Sequence, residues 1–306
     1  MIAILGATGT LGLSLAHEFA ADPRGLVLFA RHPDRLADEP FAAPVGICPL
    51  GEFKAADFDL VINAIGAGDP GRVAALGAEI LEITDRWDGR VLDTMDAGTR
   101  YVFLSSGAVY EPARSEPAGS DSRLSIPLDD RAVAPPYIMA KILAEARHRH
   151  LSNRSILDLR VFAFADSTLP RDGRFFLCEL ARSIGSQLPF KTSATDMVRD
   201  YASRTEVAAM IRCWEAAGAG NTPLDVYTRA PARKSDILRL AQERFGIEID
   251  YCADIAPSGT GEKPFYASPN RAAAALGYNP ARTALEVVTA YLDGVAGSAG
   301  PAGAAF

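Results

Sequence analysis

The sequence is poor in several of the signals that announce a function. Its four cysteines, Cys48, Cys178, Cys213 and Cys252, stand far apart with no C-x-x-C spacing, which gives no basis for a zinc site or a disulfide framework. We read them as buried or half-buried thiols in a reducing cytoplasm. The four histidines form no metal-ligand pattern either, so no metal is expected. No apolar run approaches about 18 residues, the length a membrane span needs. The opening "MIAILGATGTLG" lacks the basic flank and small-residue cleavage site of a secretory signal. Positive charge is scarce: the net charge is −7, and the longest basic run is "RHRH" at 147–150. That balance argues against a nucleic-acid surface, and we read the run itself as a solvated helix end.

What the chain does have is length and apolar content. With 306 residues, 48% of them hydrophobic, it can fill one large α/β domain or two lobes sharing a core. "IAIL" at 2–5 predicts a strand that stops at Gly6, and Leu13, Ala16, Phe19 and Ala20 recur at helical spacing behind it. Further strands are expected at 25–30, 45–50, 58–66, 100–106 and 155–165, with helices near 71–88 and 137–150. This alternation predicts a doubly wound parallel sheet whose ligand lies outside the carboxyl ends of the strands. We divide the chain into a nucleotide-binding domain (1–165) and a smaller C-terminal α/β substrate lobe (166–293). Residues 199–218 could return to the first domain. The small-residue tail 294–306 buries too little to hold a structure and is expected to be disordered.

"GATGTLG" places Gly6, Gly9 and Gly12 between the first strand and the first helix. Glycine lets the backbone turn sharply and approach a pyrophosphate, while the helix N-terminus offers unpaired N–H groups. Gly6, Thr8, Gly9, Thr10, Leu11 and Gly12 are therefore the candidate cofactor-binding residues. The first polar side chain after the second strand is Arg31. A guanidinium there forks onto a 2′-phosphate where an acid would bond the ribose, so NADP is expected, with NAD as the alternative.

Three more segments carry chemistry. "INAIGAG" brings Ala64, Ile65 and Gly66 off a strand, small enough for a cofactor to lie close. "FLSSGAVY" delivers Ser105 and Ser106 to the edge of the sheet. "PPYIMAK" sets Tyr137 and Lys141 four residues apart, one above the other on a helix, in a chain with only five lysines. There an ammonium would favour the phenolate. With "VRDYASRTEVAAMI" (198–211) and "FYASPNRAAAALGYNP" (265–280), these motifs make the chain resemble the extended short-chain dehydrogenase/reductase superfamily, the group of NAD-dependent epimerases, dehydratases and ketoreductases that modify nucleotide sugars.

The resemblance covers nearly the whole chain and implies a Rossmann-like fold. It also implies Ser106, Tyr137 and Lys141 as catalytic residues, with Tyr137 and Lys141 touching the cofactor as well. Ser106, Gly107 and Arg199 are implied to meet the substrate, a small molecule of the nucleotide-sugar class. Lys141 would lower the Tyr137 phenol pKa while holding the nicotinamide ribose. A cytoplasmic homodimer built on helices that include part of 137–150 is implied too. Where sugar dehydratases carry an Asp–Glu pair after the catalytic Ser or Thr, this chain has Gly107 and Ala108, so loss of water is not expected. A second diphosphate-binding arginine is missing before the C-terminal motif, where "APSGTGEKPFYAS" offers only Lys263. The loop 111–136 is expected to shape the substrate mouth. Ketoreductase and epimerase both remain open. So do a reductase of a non-sugar ketone and, from another class, a non-catalytic NADP sensor or scaffold.

Overall fold

The computed structural model of the chain describes residues 1–110, 122, 135–218, 220–252 and 264–298. Its strands in chain order are β1 (Ile2–Leu5), β2 (Leu26–Ala30), β3 (Gly46–Pro49), β4 (Leu60–Asn63), β5 (Arg100–Ser106), β6 (Ser155–Val161), β7 (Ala163–Phe164), β8 (Phe190–Thr192), β9 (Val198–Arg199), β10 (Tyr201–Ala202), β11 (Thr222–Asp225), β12 (Ala232–Arg233), β13 (Ile249–Tyr251) and β14 (Phe265–Tyr266). The helices are α1 (Thr10–Phe19), α2 (Pro70–Leu76), α3 (Glu79–Thr94), α4 (Pro136–Arg149), α5 (Phe176–Ser186), α6 (Arg204–Ala216), α7 (Lys234–Phe245) and α8 (Ala284–Ser298).

Seven strands form one parallel sheet in the order β11-β6-β5-β4-β1-β2-β3. The chain runs outward from β1 to β3, then returns to the other side of β1 and continues through β4, β5 and β6. That reversal opens a crevice at the carboxyl ends of β1 and β4. The sheet is buried on both faces, which is why its strands read as continuous apolar runs. Ile2, Ile4, Leu60, Ile62, Val102 and Leu104 pack with Leu15, Phe19, Val207, Ile211 and Trp214 from α1 and α6. The alternate residues Ala3, Leu5, Val61, Tyr101 and Phe103 face Val91 of α3 and Ala144 of α4. The period-two alternation of strand side chains thus builds two cores from one sheet, and the doubly wound fold expected from the sequence is the fold observed.

Beyond β6 a separate apolar cluster joins Leu177, Leu180 and Ile184 of α5 to Ile237, Leu238 and Ala241 of α7 and to Val287, Val288 and Leu292 of α8. Three short sheets, β12-β9-β14, β13-β8 and β10-β7, edge this lobe.

Three details differ from the expectations. The helix expected near 71–88 is two helices, because Gly77 adopts φ +50° and ends α2. Thr222–Asp225 adds a strand to the main sheet where none was expected. And α8 runs to Ser298, so the first five residues of the tail that composition suggested would lack structure are helical; 299–306 lie outside the described residues. Most of the 111–136 loop lies outside them too. Among the described residues no helix is long and apolar enough to cross a membrane.

Candidate active site

The glycine turn comes first in the chain. Gly6 leaves β1 with φ +74°, and a Cβ added there would stand 3.0 Å from the backbone of Ala64. A Cβ at Gly12 would stand 2.4 Å from the carbonyl oxygen of Gly6, so only glycine lets α1 start this close to the turn. Gly9 donates its N–H to Gly6 (2.9 Å) and precedes α1 without a side-chain cap, leaving first-turn N–H groups of the helix for an anion. Thr8, Thr10 and Leu11 line this turn half-buried. The cradle fits a dinucleotide pyrophosphate. Arg31 follows β2 directly and is exposed, next to the strand whose Phe29 carbonyl accepts from Gly6 and Ala7.

At the end of β4 the buried Asn63 makes the chain turn. Its side-chain oxygen accepts the N–H of Ile65 (3.0 Å), and its amide donates to the Tyr101 hydroxyl (2.9 Å). This holds Ala64, Ile65 and Gly66 against the glycine turn. An atom at the Cβ position of Gly66 would lie 3.7 Å from Lys141 Nζ, which places the lysine beside the cofactor loop.

Ser106 ends β5, 6% exposed, and its Oγ accepts the Ala108 N–H (3.1 Å). Gly107 is obligatory here, since a Cβ would fall 2.3 Å from the Phe162 ring. Helix α4 begins with Pro136 at its first position, where a missing N–H costs nothing. Tyr137 follows, half-buried, with Lys141 one turn on. Loss of solvation pushes the Tyr137 phenol above its ordinary range, and the hydrogen bond from Ser106 opposes this. Lys141 is 5% exposed. Its Nζ donates to the Leu104 carbonyl (2.7 Å) and sits 6.0 Å from the Tyr137 ring centroid. Burial lowers its pKa to about 8, against the pull of the Asp88, Glu145 and Asp158 carboxylates. In this arrangement the Ser106 hydrogen bond is what draws the phenol down against its burial.

The C-terminal lobe contributes two groups. Arg199 on β9 is half-buried, donates to the Val198 carbonyl (3.0 Å), and has its pKa lowered by desolvation. The acids beside it in sequence are engaged elsewhere, Asp200 with Thr228 and Glu206 with Ser203 and Arg282. Tyr266 was not singled out from the sequence, although it lies within "FYASPN". Its hydroxyl stands 3.0 Å from Ser106 Oγ, and its ring lies 5.7 Å from the Arg199 guanidinium.

Behind α4, "RHRH" is not simply a solvated helix end. His148 is fully buried, with Nδ1 2.6 Å from Asp158 and Nε2 2.8 Å from Asp88. Arg147 and Arg149 reach the same two acids. Two carboxylates raise the imidazole pKa to about 9 in spite of burial. Among the described residues no group of three or more His, Cys, Asp or Glu is placed to hold a metal ion.

The model of the NAD dependent epimerase/dehydratase family matches residues 2–163. No curated protein matches the chain in sequence. Solved structures match along the whole chain. One is a UDP-glucose 4-epimerase from Stenotrophomonas maltophila with bound NAD and formylated UDP-arabinopyranose (16% identity, covering 97% of this chain and 98% of that one, TM-score 0.77). MoeE5 in complex with UDP-glucose and NAD is similar as well (19% identity, 97% and 99% covered, TM-score 0.75). So is TunA, an NAD-dependent NDP-hexosamine 5,6-dehydratase involved in tunicamycin biosynthesis (17% identity, 95% and 96% covered, TM-score 0.74). At such identities the likeness is one of fold.

Proposed function

The chain belongs to the NAD-dependent epimerase/dehydratase family, and from that premise we propose that it is an NAD(P)-dependent oxidoreductase or epimerase acting on a hydroxyl or keto carbon of a nucleotide sugar. The observation that carries this reading is the meeting of Ser106 and Tyr137 at the carboxyl end of β5, with Lys141 beside the Gly66 loop.

A bound nicotinamide supplies hydride transfer, the one step no side chain can perform. Tyr137, kept protonated by burial, gives its proton to the carbonyl oxygen in reduction; in oxidation it is the phenolate that receives the proton of the alcohol. Ser106 holds that oxygen in line. Lys141 holds the nicotinamide ribose, and the Gly6–Gly12 turn the pyrophosphate. Arg31 takes the adenosine 2′-phosphate, which makes NADP the preferred cofactor and tilts the reaction toward reduction, the usual work of NADPH. The relatives solved with UDP-glucose or formylated UDP-arabinopyranose support a UDP-sugar as the substrate, with Arg199 binding its diphosphate. Gly107 and Ala108 provide no acid or base for dehydration. We place the contact of a cytoplasmic homodimer on α3 and α4, where Leu143 is 54% exposed.

Incubation with UDP-glucose, UDP-glucuronic acid and simple ketones, in the presence of NADP+, NADPH or NAD+, tests the reading. Absorbance at the reduced nicotinamide band and NMR of the sugar are followed. Turnover of a UDP-sugar supports it. Turnover of simple ketones alone points to a non-sugar reductase, and cofactor binding without any turnover points to a sensor.

A further inference from the structure

The hydroxyl of Ser106 has one proton and two lone pairs. One lone pair accepts the Ala108 N–H at 3.1 Å. The Tyr266 hydroxyl stands 3.0 Å away, and which of the two oxygens donates decides what Ser106 can do. If Ser106 donated to Tyr266, it would present a lone pair to an incoming carbonyl oxygen, and two acceptors repel. If Tyr266 donates, both lone pairs of Ser106 are filled and its proton is left for the reacting oxygen.

Several features favour the second arrangement. Ser106 has a single proton and two tyrosine neighbours; the Tyr137 O–H is the proton the reaction delivers to the substrate oxygen, so Tyr266 is the neighbour left to donate to Ser106. Burial raises the Tyr266 phenol well above the ordinary tyrosine range, so its O–H keeps a proton to offer. The ring is also fixed: Phe162, packed over Gly107, meets it at a centroid distance of 5.3 Å and an angle of 61°. The backbone of Tyr266 is fixed by the pairing of β14 with β9.

We propose that Tyr266 is a positioning residue of the reaction centre, whose phenol donates to Ser106 and so leaves the single Ser106 proton for Tyr137 in the free protein and for the substrate oxygen once substrate is bound. This rests on the reading of Ser106 and Tyr137 as the reacting pair. It adds to that reading a third hydroxyl, brought in by the C-terminal lobe from 160 residues away in sequence.

The test uses Tyr266→Phe, which keeps the ring and removes the donor. In the full-length protein with ring-labelled tyrosine, the Tyr137 phenol is titrated by NMR with and without NAD+, its signal assigned from Tyr137→Phe. Loss of the Tyr266 donor frees Ser106 to accept from Tyr137, so the Tyr137 pKa should rise by about half a unit or more. With a UDP-sugar that the unmodified enzyme turns over, kcat should fall about tenfold while KM and cofactor affinity stay within about twofold. The double variant with Ser106→Ala should be no slower than Ser106→Ala alone, because Tyr266 acts through that serine. An unmoved Tyr137 titration, or losses that multiply in the double variant, would overturn the proposal. If no UDP-sugar is turned over by the unmodified protein, the proposed function fails, and the titration still decides the role of Tyr266.

Discussion

Nε2 of His148 lies 2.8 Å from Oδ1 of Asp88, with both side chains closed off from solvent. The histidine belongs to the helix that carries Tyr137 and Lys141. The aspartate also accepts from the Tyr101 hydroxyl (2.8 Å), which in turn accepts from Asn63. One buried chain of hydrogen bonds therefore connects the cofactor loop after β4 with the back of α4.

The first prediction concerns this pair. The folded-state pKa of His148, about 9, exceeds its ordinary 6.5, so the folded protein holds that proton more tightly than the unfolded chain. The resulting stabilisation is fully present below pH 6.5 and is lost as pH rises through 9. Denaturant titrations should show stability falling across that window. His148→Gln should flatten the dependence and lower stability by about 3 kcal/mol at neutral pH, since it leaves Asp88 and Asp158 without their shared cation.

Cofactor choice gives the second. NADP(H) should bind more tightly than NAD(H), and Arg31→Asp should reverse the order, because a carboxylate repels the 2′-phosphate that a guanidinium holds. Calorimetric titration with both cofactors measures it. Equal affinities in the unmodified protein would remove Arg31 from the cofactor site.

A third prediction separates the two members of "YIMAK". Tyr137→Phe should retain fold and cofactor affinity while turnover falls about 10²- to 10⁴-fold. Lys141→Met should weaken cofactor binding as well. In the unmodified protein burial sets the lysine near pH 8, so its ammonium is present below that value and lost above it. Cofactor affinity should decline as pH passes through 8, and in Lys141→Met that decline should vanish.

Arg199 supplies the fourth. Its removal as Arg199→Ala should raise KM for a UDP-sugar roughly 10- to 100-fold, the loss of a charged hydrogen bond, with little change in kcat. Weakened inhibition by free UDP would report the same contact independently of catalysis. An unchanged KM with a lowered melting temperature would assign the residue to the lobe's packing instead.

Much of the fold is written in the apolar runs, and the reason is physical. β1, β4 and β5 are covered on both faces, so nearly every residue in them had to be apolar and the runs stand out. β11 carries the opposite signature. "TPLD" contains a proline and two polar residues, tolerable because the strand lies at the sheet's edge and pairs only with β6. The division between α2 and α3 hides in one glycine whose positive φ no periodicity reveals. At the candidate site, Tyr137 and Lys141 were singled out because they stand one helical turn apart, and Ser106 because it ends the apolar run of β5. Tyr266 was not, since a strand of two residues leaves no pattern and its partner is remote in the chain. His148 was misread for the same reason: the acids that enclose it stand at 88 and 158, invisible from the basic run alone.

Tyr266 and Arg199 are opposite one another in the parallel pairing of β14 with β9. Strand side chains alternate between faces, so sliding one strand by a single residue would turn its contribution away from Ser106 while leaving the sheet intact. The segments that join these strands to the rest of the lobe can therefore gain or lose residues, provided the register survives. For anyone grafting the lobe of a relative onto this nucleotide-binding sheet, the unit to be exchanged whole is the β12-β9-β14 ribbon, since it sets the frame in which an arginine and a tyrosine arrive together.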